Sequence, residues 1–553
     1  MNTTLRNFCI VFIVILSFSN CAKKGRPTGG AKDSIPPVIV KSDPENYTVN
    51  FEGDEIRIYF DEYIKLQDLQ KNLIISPPMK NAPNITPLST SKVLKIKILD
   101  TLKENTTYSI NFGKSIVDNN EANEFEYYKY VFSTGTYIDS LTLGGTIKDA
   151  LKTQPASTTS VLLYEVTDTY TDSIPFLEKP TYITTTRDST HAFELTNLKE
   201  GTYRLIALQE ANSNYTFDPK RDYIGFEESY VTIPTDSSYT LSIFKEERPY
   251  KMDRGSHIGK HQILFGYEGP ADSLTIEPIS DVPETFVSKT IRDRKKDTLY
   301  YWFKPAFDIE QNDSLLFIAR NKEQLDTLEV RMRDLFIDSL KIDKITSTNL
   351  LPRDTMKLGS TTPLVSFDAE KIQILDRDSL VIPASTYIDT VYNTASVLFP
   401  MKDDQRYAIE IMPDAFVDYF SATNLDTLSY SVKTKPISDY GTIRLGLQNA
   451  KEFPLIVELV SSKYEVLQQQ YLTKNTGVSF DYVLPGNYYV RVIFDRNKNG
   501  KWDTGNFLSK VQPEKVIYYP SQLEIRANWD WNETFILTET NLGPPKKVAV
   551  PEE

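Results

Sequence analysis

The stretch Glu55-Ile56-Arg57-Ile58-Tyr59-Phe60-Asp61-Glu62 alternates polar and apolar side chains, and this pattern decides the expected fold. Successive side chains of a β-strand point to opposite faces, so the alternation predicts a strand with one buried face. The same period of two recurs at residues 92–98, 108–112 and 128–132, with Pro, Asn and Asp between the runs. Short alternating runs at this spacing are typical of a β-sandwich.

Composition extends this prediction to the whole chain of 553 residues, which is long enough for about four or five domains. Aromatic residues make up 12% of the chain, with 33 Tyr and 28 Phe, and such residues favour strands. No long stretch has the apolar period of a helix. We therefore predict an all-β chain of tandem sandwiches. The net charge of −13 argues against nucleic-acid binding, because phosphate contacts require Lys and Arg.

Four motifs mark the first group of strands: Pro36-Pro37-Val38 at its start, the strand end Ile56 to Glu62, the stretch Leu102 to Tyr108, and Phe132-Ser133-Thr134 near its close. Together they resemble the bacterial Ig-like domain first described in S-layer proteins. The resemblance assigns residues 37–137 to this family. It implies a structural spacer module with no active site of its own.

A second pattern consists of apolar residues around a tight turn. Its positions are Phe193, Leu195, Leu198, Gly201 and Tyr203. The spacing resembles the transthyretin-like, carboxypeptidase-regulatory β-sandwich, and it assigns residues 138–247 to that fold. Gly201 suits a turn that needs a positive φ.

Both patterns recur in the second half of the chain. The run Tyr407 to Ile411 followed by Phe416-Val417-Asp418 repeats the run Tyr108 to Phe112 followed by Ile116-Val117-Asp118. Gly486-Asn487-Tyr488 aligns with Gly201-Thr202-Tyr203, and polar residues follow both glycines at equal offsets, which indicates a repeat. The domains expected here are 248–340, an unassigned β domain that we expect to be another sandwich, 341–437, a second Ig-like domain, and 438–540, a second transthyretin-like sandwich.

The N-terminus contains an apolar run that follows Arg6 and ends at Cys21. A positive residue before about a dozen apolar residues is a secretory signal, and the run is shorter than the ~20 residues that cross a bilayer. The final cysteine resembles the lipobox of bacterial lipoproteins, here of a Bacteroidota outer-membrane type. This resemblance implies a signal peptide at 1–20, covalent lipid on Cys21, and a lipidated tether at 21–36. An ordinary cleaved signal and an uncleaved anchor are the alternatives.

Cysteine usage supports an exported chain that is stabilised by its cores alone. Cys9 lies within the signal, so cleavage would leave Cys21 as the single cysteine, and no disulfide could form. Residues 541–553 form a short polar tail with no reason to fold.

The best candidate for a metal site is the run Asp495, Asn497, Asn499 and Asp503, with Gly500 between the last two. Oxygen ligands at alternate positions around a glycine turn are typical of Ca²⁺ sites. The run lacks the bidentate Glu of an EF-hand loop, because Asn506 occupies that position. The alternative is a polar loop whose Asp and Asn side chains bond to their own backbone turn.

No catalytic set emerges from the remaining polar residues. His257 and His261 have the spacing of a metal pair on a helix, but glycines between and beside them disfavour a helix. His191 lies near Asp188 and Ser189, yet a catalytic triad depends on geometry and not on adjacency in sequence. We therefore predict that the protein is not an enzyme and has no certain cofactor.

Lipid attachment and repeated sandwiches predict a non-catalytic scaffold or accessory subunit of an outer-membrane or cell-envelope protein complex. The alternative is a glycan-binding or adhesion lipoprotein of the cell surface. The expected location is the outer membrane, on either its periplasmic or its external face. The residues Ala22-Lys23-Lys24 lack the acidic run that resembles a surface-export signal.

Overall fold

The computed structural model describes residues 33–538 apart from 154, 156, 187–189, 211, 306–313 and 337–338. The signal peptide, Cys21 and the tail at 541–553 lie outside the described residues. Within them the chain forms 41 β-strands, one four-residue α-helix and three short 3-10 helices. The all-β prediction is confirmed. No helix of the described part of the chain is long and apolar enough to span a membrane.

The first sandwich follows the alternation that the sequence predicts, since Ile56, Ile58 and Phe60 are all buried. Its strands are β1 (Ile39–Asp43), β2 (Glu55–Leu66), β3 (Ile74–Ser76), β4 (Asn84–Thr86), β5 (Ser91–Lys97), β6 (Thr107–Asn111), β7 (Ile116–Asp118) and β8 (Lys129–Ser133), with α1 (Leu69–Asn72) after β2. One sheet has the order β1-β2-β5-β4, with β7 also paired to β2, and the other has the order β3-β6-β8.

The second sandwich packs a five-stranded sheet on a three-stranded sheet. Its strands are β9 (Leu141–Asp149), β10 (Ser160–Glu165), β11 (Tyr182–Thr185), β12 (Ala192–Leu198), β13 (Gly201–Gln209), β14 (Tyr223–Phe226), β15 (Val231–Ile233) and β16 (Ser238–Ile243), with a 3-10 helix at Ile174–Phe176. The larger sheet has the order β11-β10-β13-β14, with β15 also on β13. In the smaller sheet, β12-β9-β16, strand β16 runs parallel to β9.

The third sandwich comes from the stretch that matched no known pattern. Its strands are β17 (Lys251–Met252), β18 (Ser256–Gly259), β19 (Gln262–Glu268), β20 (Thr275–Pro278), β21 (Val287–Arg292), β22 (Thr298–Lys304), β23 (Ser314–Asn321) and β24 (Gln324–Arg331). They form the sheets β17-β19-β22-β21, with β18 on β19, and β20-β23-β24. Phe265, Tyr301 and Phe317 pack edge to face in the core between them.

The fourth sandwich repeats the strand order of the first. Its strands are β25 (Ile342–Lys344), β26 (Met356–Ser360), β27 (Leu364–Phe367), β28 (Ile372–Leu375), β29 (Ser385–Asp389), β30 (Thr394–Leu398), β31 (Arg406–Ile411), β32 (Phe416–Asp418) and β33 (Leu428–Lys433), with a 3-10 helix at Ala369–Lys371. The sheets β25-β26-β30-β29 and β28-β31-β33, with the pair β27-β32, correspond to those of the first sandwich.

A tyrosine corner is common to the first and fourth sandwiches. The Tyr108 hydroxyl accepts the backbone N–H of Lys103 at 2.9 Å, and the Tyr407 hydroxyl accepts that of Lys402 at 2.7 Å. Thr134 donates its hydroxyl to the Lys103 carbonyl, as a threonine in the same position of the fourth sandwich does to the Lys402 carbonyl. Buried tyrosines of this kind pin a loop to an Ig-like core.

The fifth sandwich repeats the strand order of the second, including its parallel pair. Its strands are β34 (Gly441–Gln448), β35 (Leu455–Ser461), β36 (Val466–Leu472), β37 (Val478–Val483), β38 (Gly486–Phe494), β39 (Val516–Tyr518), β40 (Leu523–Ile525) and β41 (Asp530–Ile536), after a 3-10 helix at Ile437–Asp439. The sheets are β36-β35-β38-β39, with β40 on β38, and β37-β34-β41, in which β41 is parallel to β34. Strand β38 starts at the glycine that aligns with the start of β13.

Contacts within the chain divide it into two compact units. Among the described residues, one comprises 33–141 with 197–199, and it contains the first sandwich. The other comprises the described residues of 142–196 and 200–538, and it contains the other four sandwiches.

Candidate functional site

The polar loop after β38 is built around Asp495, whose side chain is buried. Its Oδ1 accepts the backbone N–H of Asn499 at 3.1 Å, and its Oδ2 accepts that of Gly500 at 2.9 Å. The chain turns sharply because Lys498 and Gly500 have φ angles of 63° and 77°. Glycine adopts this left-handed conformation without steric cost. Asp495 therefore fixes a tight turn at the end of the strand.

The other three predicted calcium ligands meet beside this turn. The Oδ2 atom of Asp503 accepts one N–H from the side-chain amide of Asn497 and one from that of Asn499, each at 2.7 Å. The Oδ1 atom of Asn497 accepts the backbone N–H of Asn499 at 3.1 Å. The structure therefore brings all four predicted residues into one hydrogen-bonded cluster.

Glu514 belongs to the same loop, although sequence reasoning missed it. Its carboxylate accepts the backbone N–H of Arg496 at 2.7 Å and that of Asp503 at 3.2 Å. Burial raises the pKa of Glu514, and the charges of Asp503 and Asp495 raise it further. The second sandwich offered a sequence signal for this role of Glu514, because an acidic residue there directly precedes the strand that follows the loop.

Calcium at this loop stays a prediction. No three His, Cys, Asp or Glu side chains of the described residues are grouped so as to hold a metal, so a cation here would also depend on amide oxygens. Asp503, Asn497 and Asn499 could supply oxygens, and repulsion between Glu514 and its acidic neighbours is a feature that a cation would relieve. The hydrogen bonds described above correspond to the alternative, a loop that bonds to its own backbone.

The second sandwich contains the same loop without its glycine. Glu210 accepts the backbone N–H groups of Asn214 and Tyr215, which are four and five residues further along, as in the fifth sandwich. Ser213 and Tyr215 have φ angles of 50° and 61°, which match the angles of Lys498 and its neighbour two residues on. The shared role of the leading acid is therefore to hold this turn.

The two loops differ in length after the turn. The N–H of Asp218 donates to Asp222, as the N–H of Asp503 donates to Glu514. The acceptor lies four residues on in the first case and eleven in the second, so the fifth sandwich has seven additional residues. The pairing of β13 with β14 and of β38 with β39 agrees with this offset.

The longer loop packs its Phe507 side chain against the second sandwich. Phe507 is 1% exposed, and its ring centroid lies 5.3 Å from that of Phe226 and 6.2 Å from that of Phe176. Its backbone N–H donates to the carboxylate of Glu246 at 2.5 Å. A Cβ on Gly505 would lie 2.6 Å from the ring of Phe244, so only glycine fits there. The longer connection between Asp503 and Glu514 therefore forms a wedge, which we define as residues 504–513.

Polar bonds reinforce this contact. The hydroxyl of Thr504 donates to the carbonyl of Lys245 at 2.6 Å, and the side chain of Gln512 donates to the carbonyl of Phe226 at 2.9 Å. Lys510 lies 3.1 Å from the carboxylate of Asp172. The wedge is thus bonded to the second sandwich at several points along its length.

A buried arginine forms a second point of contact between the same two sandwiches. Arg491 and Tyr518 both donate to the carbonyl of Leu151, at 2.9 and 2.6 Å. Arg491 also pairs with the buried carboxylate of Glu458 at 2.6 Å. An uncompensated buried charge is costly, so Glu458 keeps the guanidinium of Arg491 in place. The bond from Arg491 to the Leu151 carbonyl then fixes the position of that loop.

The third and fourth sandwiches also contact each other. Lys304 donates to the carbonyl of Tyr419 at 2.7 Å, and the ring of Trp302 lies 6.0 Å from that of Phe420. The ring of His261 packs on that of Phe420 in a tilted arrangement, with ring centroids 4.8 Å apart. Residues 300–303 are four consecutive aromatic residues. Trp302 therefore lies at an interdomain contact, whereas Tyr301 and Phe303 belong to the core of the third sandwich.

The histidines that sequence singled out bond to backbone atoms. His257 lies on β18, and its Nδ1 accepts the backbone N–H of Arg333 at 3.0 Å. The Nδ1 of His261 lies 3.1 Å from the carbonyl of Phe303. Burial lowers the pKa of both imidazoles. Asp188 and Ser189, the neighbours of His191, lie outside the described residues.

Comparisons with known proteins place the first sandwich in a family. Residues 33–134 match the model of the bacterial Ig-like domain family. The strands described above make the chain an all-β protein of tandem sandwiches. Its first sandwich is a bacterial Ig-like domain. The comparison with curated protein sequences returned no match.

The comparison with solved structures matched an S-layer protein and a glucan-utilization protein, among others. The S-layer protein rSbsC(31-844) is 12% identical over 88% of this chain and 66% of that chain, with a TM-score of 0.14. A Bacteroides ovatus protein, SGBP-B of a mixed-linkage glucan utilization locus, in complex with a heptasaccharide, is 10% identical over 69% of this chain and 93% of that chain, with a TM-score of 0.17. At such scores these structures carry no argument about function or domain arrangement.

Proposed function

We propose that the chain is a non-catalytic scaffold or accessory subunit of a protein complex in the outer membrane or cell envelope. A lipid on Cys21 holds it at the membrane, and its location is the outer membrane. The observation that carries the proposal is the bonded contact between the second and fifth sandwiches. A chain whose domains are fixed to one another presents its surfaces in a constant arrangement, which is what a scaffold requires.

The use of the polar side chains supports the same proposal. The carboxylate oxygens of Asp495, Glu514 and Glu210 accept hydrogen bonds from backbone N–H groups of their own loops. His257 accepts a backbone N–H, and the Nδ1 of His261 lies within hydrogen-bond distance of a backbone carbonyl. A catalytic acid, base or nucleophile needs an open position beside the reacting atoms. These residues instead stabilise loops.

The experiment is affinity capture of the tagged, full-length protein from detergent-solubilised membranes. The Cys21→Ser variant serves as the matched control, because it removes the lipid site and leaves every described residue unchanged. We expect the wild type in the membrane fraction with a membrane protein recovered in near-equal amount, and the variant in the soluble fraction. Recovery of the wild-type protein alone would contradict the scaffold, and a variant that stays in the membrane would contradict the anchor.

A further inference from the structure

A polar cleft of about 780 Å³ lies between the second and fifth sandwiches, next to the buried Arg491 contact. This volume is within the range of about 300–1,000 Å³ that small-molecule sites occupy. The cleft is formed by both copies of the repeated fold, and the wedge keeps its two walls together. None of the four predicted calcium ligands lines this cleft.

The floor of the cleft is a row of hydroxyl groups and an amine on the parallel strands β9 and β16. Thr146 is opposite Thr240, and their hydroxyl oxygens are 3.2 Å apart. One step along the pair, Lys148 is opposite Ser242. Because side chains alternate along a strand, these four point to the same face of the sheet. Their donors and acceptors lie side by side.

The walls add positive charge. Lys152 lines the cleft from the second sandwich and Lys515 from the fifth. The side-chain amines of Lys148 and Lys152 make no hydrogen bond or ion pair within the described part of the chain. In a chain of net charge −13, three lysines around one cleft form a local positive site.

The two carboxylates of the cleft are held on its sides by backbone groups. Asp149 accepts the N–H groups of Leu151 and Lys152, at 2.9 and 2.8 Å. Glu514 accepts the two N–H groups of the polar loop described above. Burial raises the pKa of both carboxyl groups. Three lysines line the cleft against these two carboxylates, whose oxygens are already engaged by backbone N–H groups, so the lining carries an excess of positive charge.

We propose that this cleft binds an anionic sugar, an oligosaccharide that carries carboxylate or phosphate groups. Its charged groups pair with Lys148, Lys152 and Lys515, and its ring hydroxyls bond to the row of Thr146, Thr240 and Ser242. A neutral sugar would leave the amines of Lys148 and Lys152 without partners, and a bare inorganic anion would not use the hydroxyl row. This inference adds a ligand to the scaffold and does not depend on the proposed membrane partner.

Isothermal titration calorimetry on the full-length protein in detergent tests the proposal with trigalacturonate as the probe. We expect saturable binding at low salt that weakens as salt is added, because surface charge pairs are screened. Maltotriose, a neutral trisaccharide, should not bind, and inorganic phosphate should bind at least tenfold more weakly than trigalacturonate. No trigalacturonate binding, or phosphate binding of equal strength, would overturn the proposal.

Variants locate the binding at the cleft. The double variant Lys148→Glu/Lys152→Glu should weaken trigalacturonate binding at least tenfold. The control Lys451→Glu/Lys474→Glu makes the same change of net charge at two exposed lysines that do not line the cleft, and it should bind like the wild type. Equal effects of both pairs would show non-specific attraction and overturn the assignment.

A second double variant tests the hydroxyl row. Thr146→Val/Thr240→Val removes two hydroxyls of that row at nearly constant volume and should weaken trigalacturonate binding without changing the weak binding of phosphate. Circular dichroism melts of all variants should agree with that of the wild type. Unchanged trigalacturonate binding in the Val variant would contradict the role of the hydroxyl row.

Discussion

At the scale of single residues, Gly500 tests the geometry of the polar loop most cleanly. Its φ is 77° and a Cβ would meet nothing within 4 Å, so the cost of Gly500→Ala is backbone strain alone. A left-handed conformation costs a non-glycine residue about 1–2 kcal/mol. We expect that loss in urea unfolding followed by tryptophan fluorescence, since three of the four tryptophans lie in the fifth sandwich. Gly446→Ala is the control: a Cβ there also meets nothing within 4 Å, its φ is not left-handed, and it should cause no such loss.

Glu514 gives the loop a pH dependence whose sign follows from its pKa. The folded state raises this pKa above the ordinary 4.5, so the folded protein binds the proton more tightly than the unfolded chain. The stability that this group contributes is therefore complete below pH 4.5 and is lost as the pH rises through the folded value. Thermal melts should show the wild type losing stability relative to Glu514→Gln over this interval. A difference that is constant with pH would contradict the assignment.

Calcium is tested by the same melts with and without a chelator. We expect Ca²⁺ to raise the melting temperature of the fifth sandwich, because the cation would relieve repulsion among the acidic groups of the loop. Asp503→Ala should remove the response. Asp218→Ala, at the same position of the second sandwich, should keep it. A wild type that does not respond to chelator has no calcium site at this loop.

At the scale of elements, the wedge is where the fifth sandwich departs from its own repeat. Phe507→Ala removes a ring held between Phe176 and Phe226, and truncation of a buried Phe costs about 3–5 kcal/mol. We expect faster amide hydrogen exchange at residues 174–176 and 244–246 of the second sandwich. Leu508→Ala is the control, because Leu508 is the next residue and is 54% exposed. Equal exchange in the two variants would show that the wedge does not hold the sandwiches together.

The strands and their repeats were accessible from sequence because local patterns encode them. The alternation around Ile58 predicts a buried face, and Gly201 and Gly486 mark the start of equivalent strands β13 and β38. The polar loop was also found, since its ligand-type residues are close together in the chain. Each of these features depends on residues within one short segment.

The contact between the sandwiches could not be predicted in this way. Phe507 packs against Phe226, which is 281 residues earlier, and nothing near either residue marks the other. Glu514 was missed because its partner Asp503 is separated from it by the wedge. A gap-free comparison of the repeats ends at Asp503, and a gapped one would have exposed the seven additional residues.

At the scale of the whole molecule, the described residues form one Ig-like sandwich and a second compact unit of four sandwiches. In that unit the second and fifth sandwiches are joined by the wedge and by the buried Arg491. The third and fourth are joined by Lys304 and by the rings around Phe420. The second and fifth sandwiches share one fold and differ in the length of one loop. The longer loop of the fifth sandwich contains the wedge, which fixes the arrangement of these two sandwiches.

The proposed scaffold function requires that this fixed arrangement hold a membrane partner. Affinity capture with three full-length baits tests this requirement: the wild type, Phe507→Ala and Leu508→Ala. We expect the wild type and Leu508→Ala to recover the same membrane protein in near-equal amount, and Phe507→Ala to recover far less of it from equal amounts of bait. A wild-type bait recovered without any partner would contradict the proposed function.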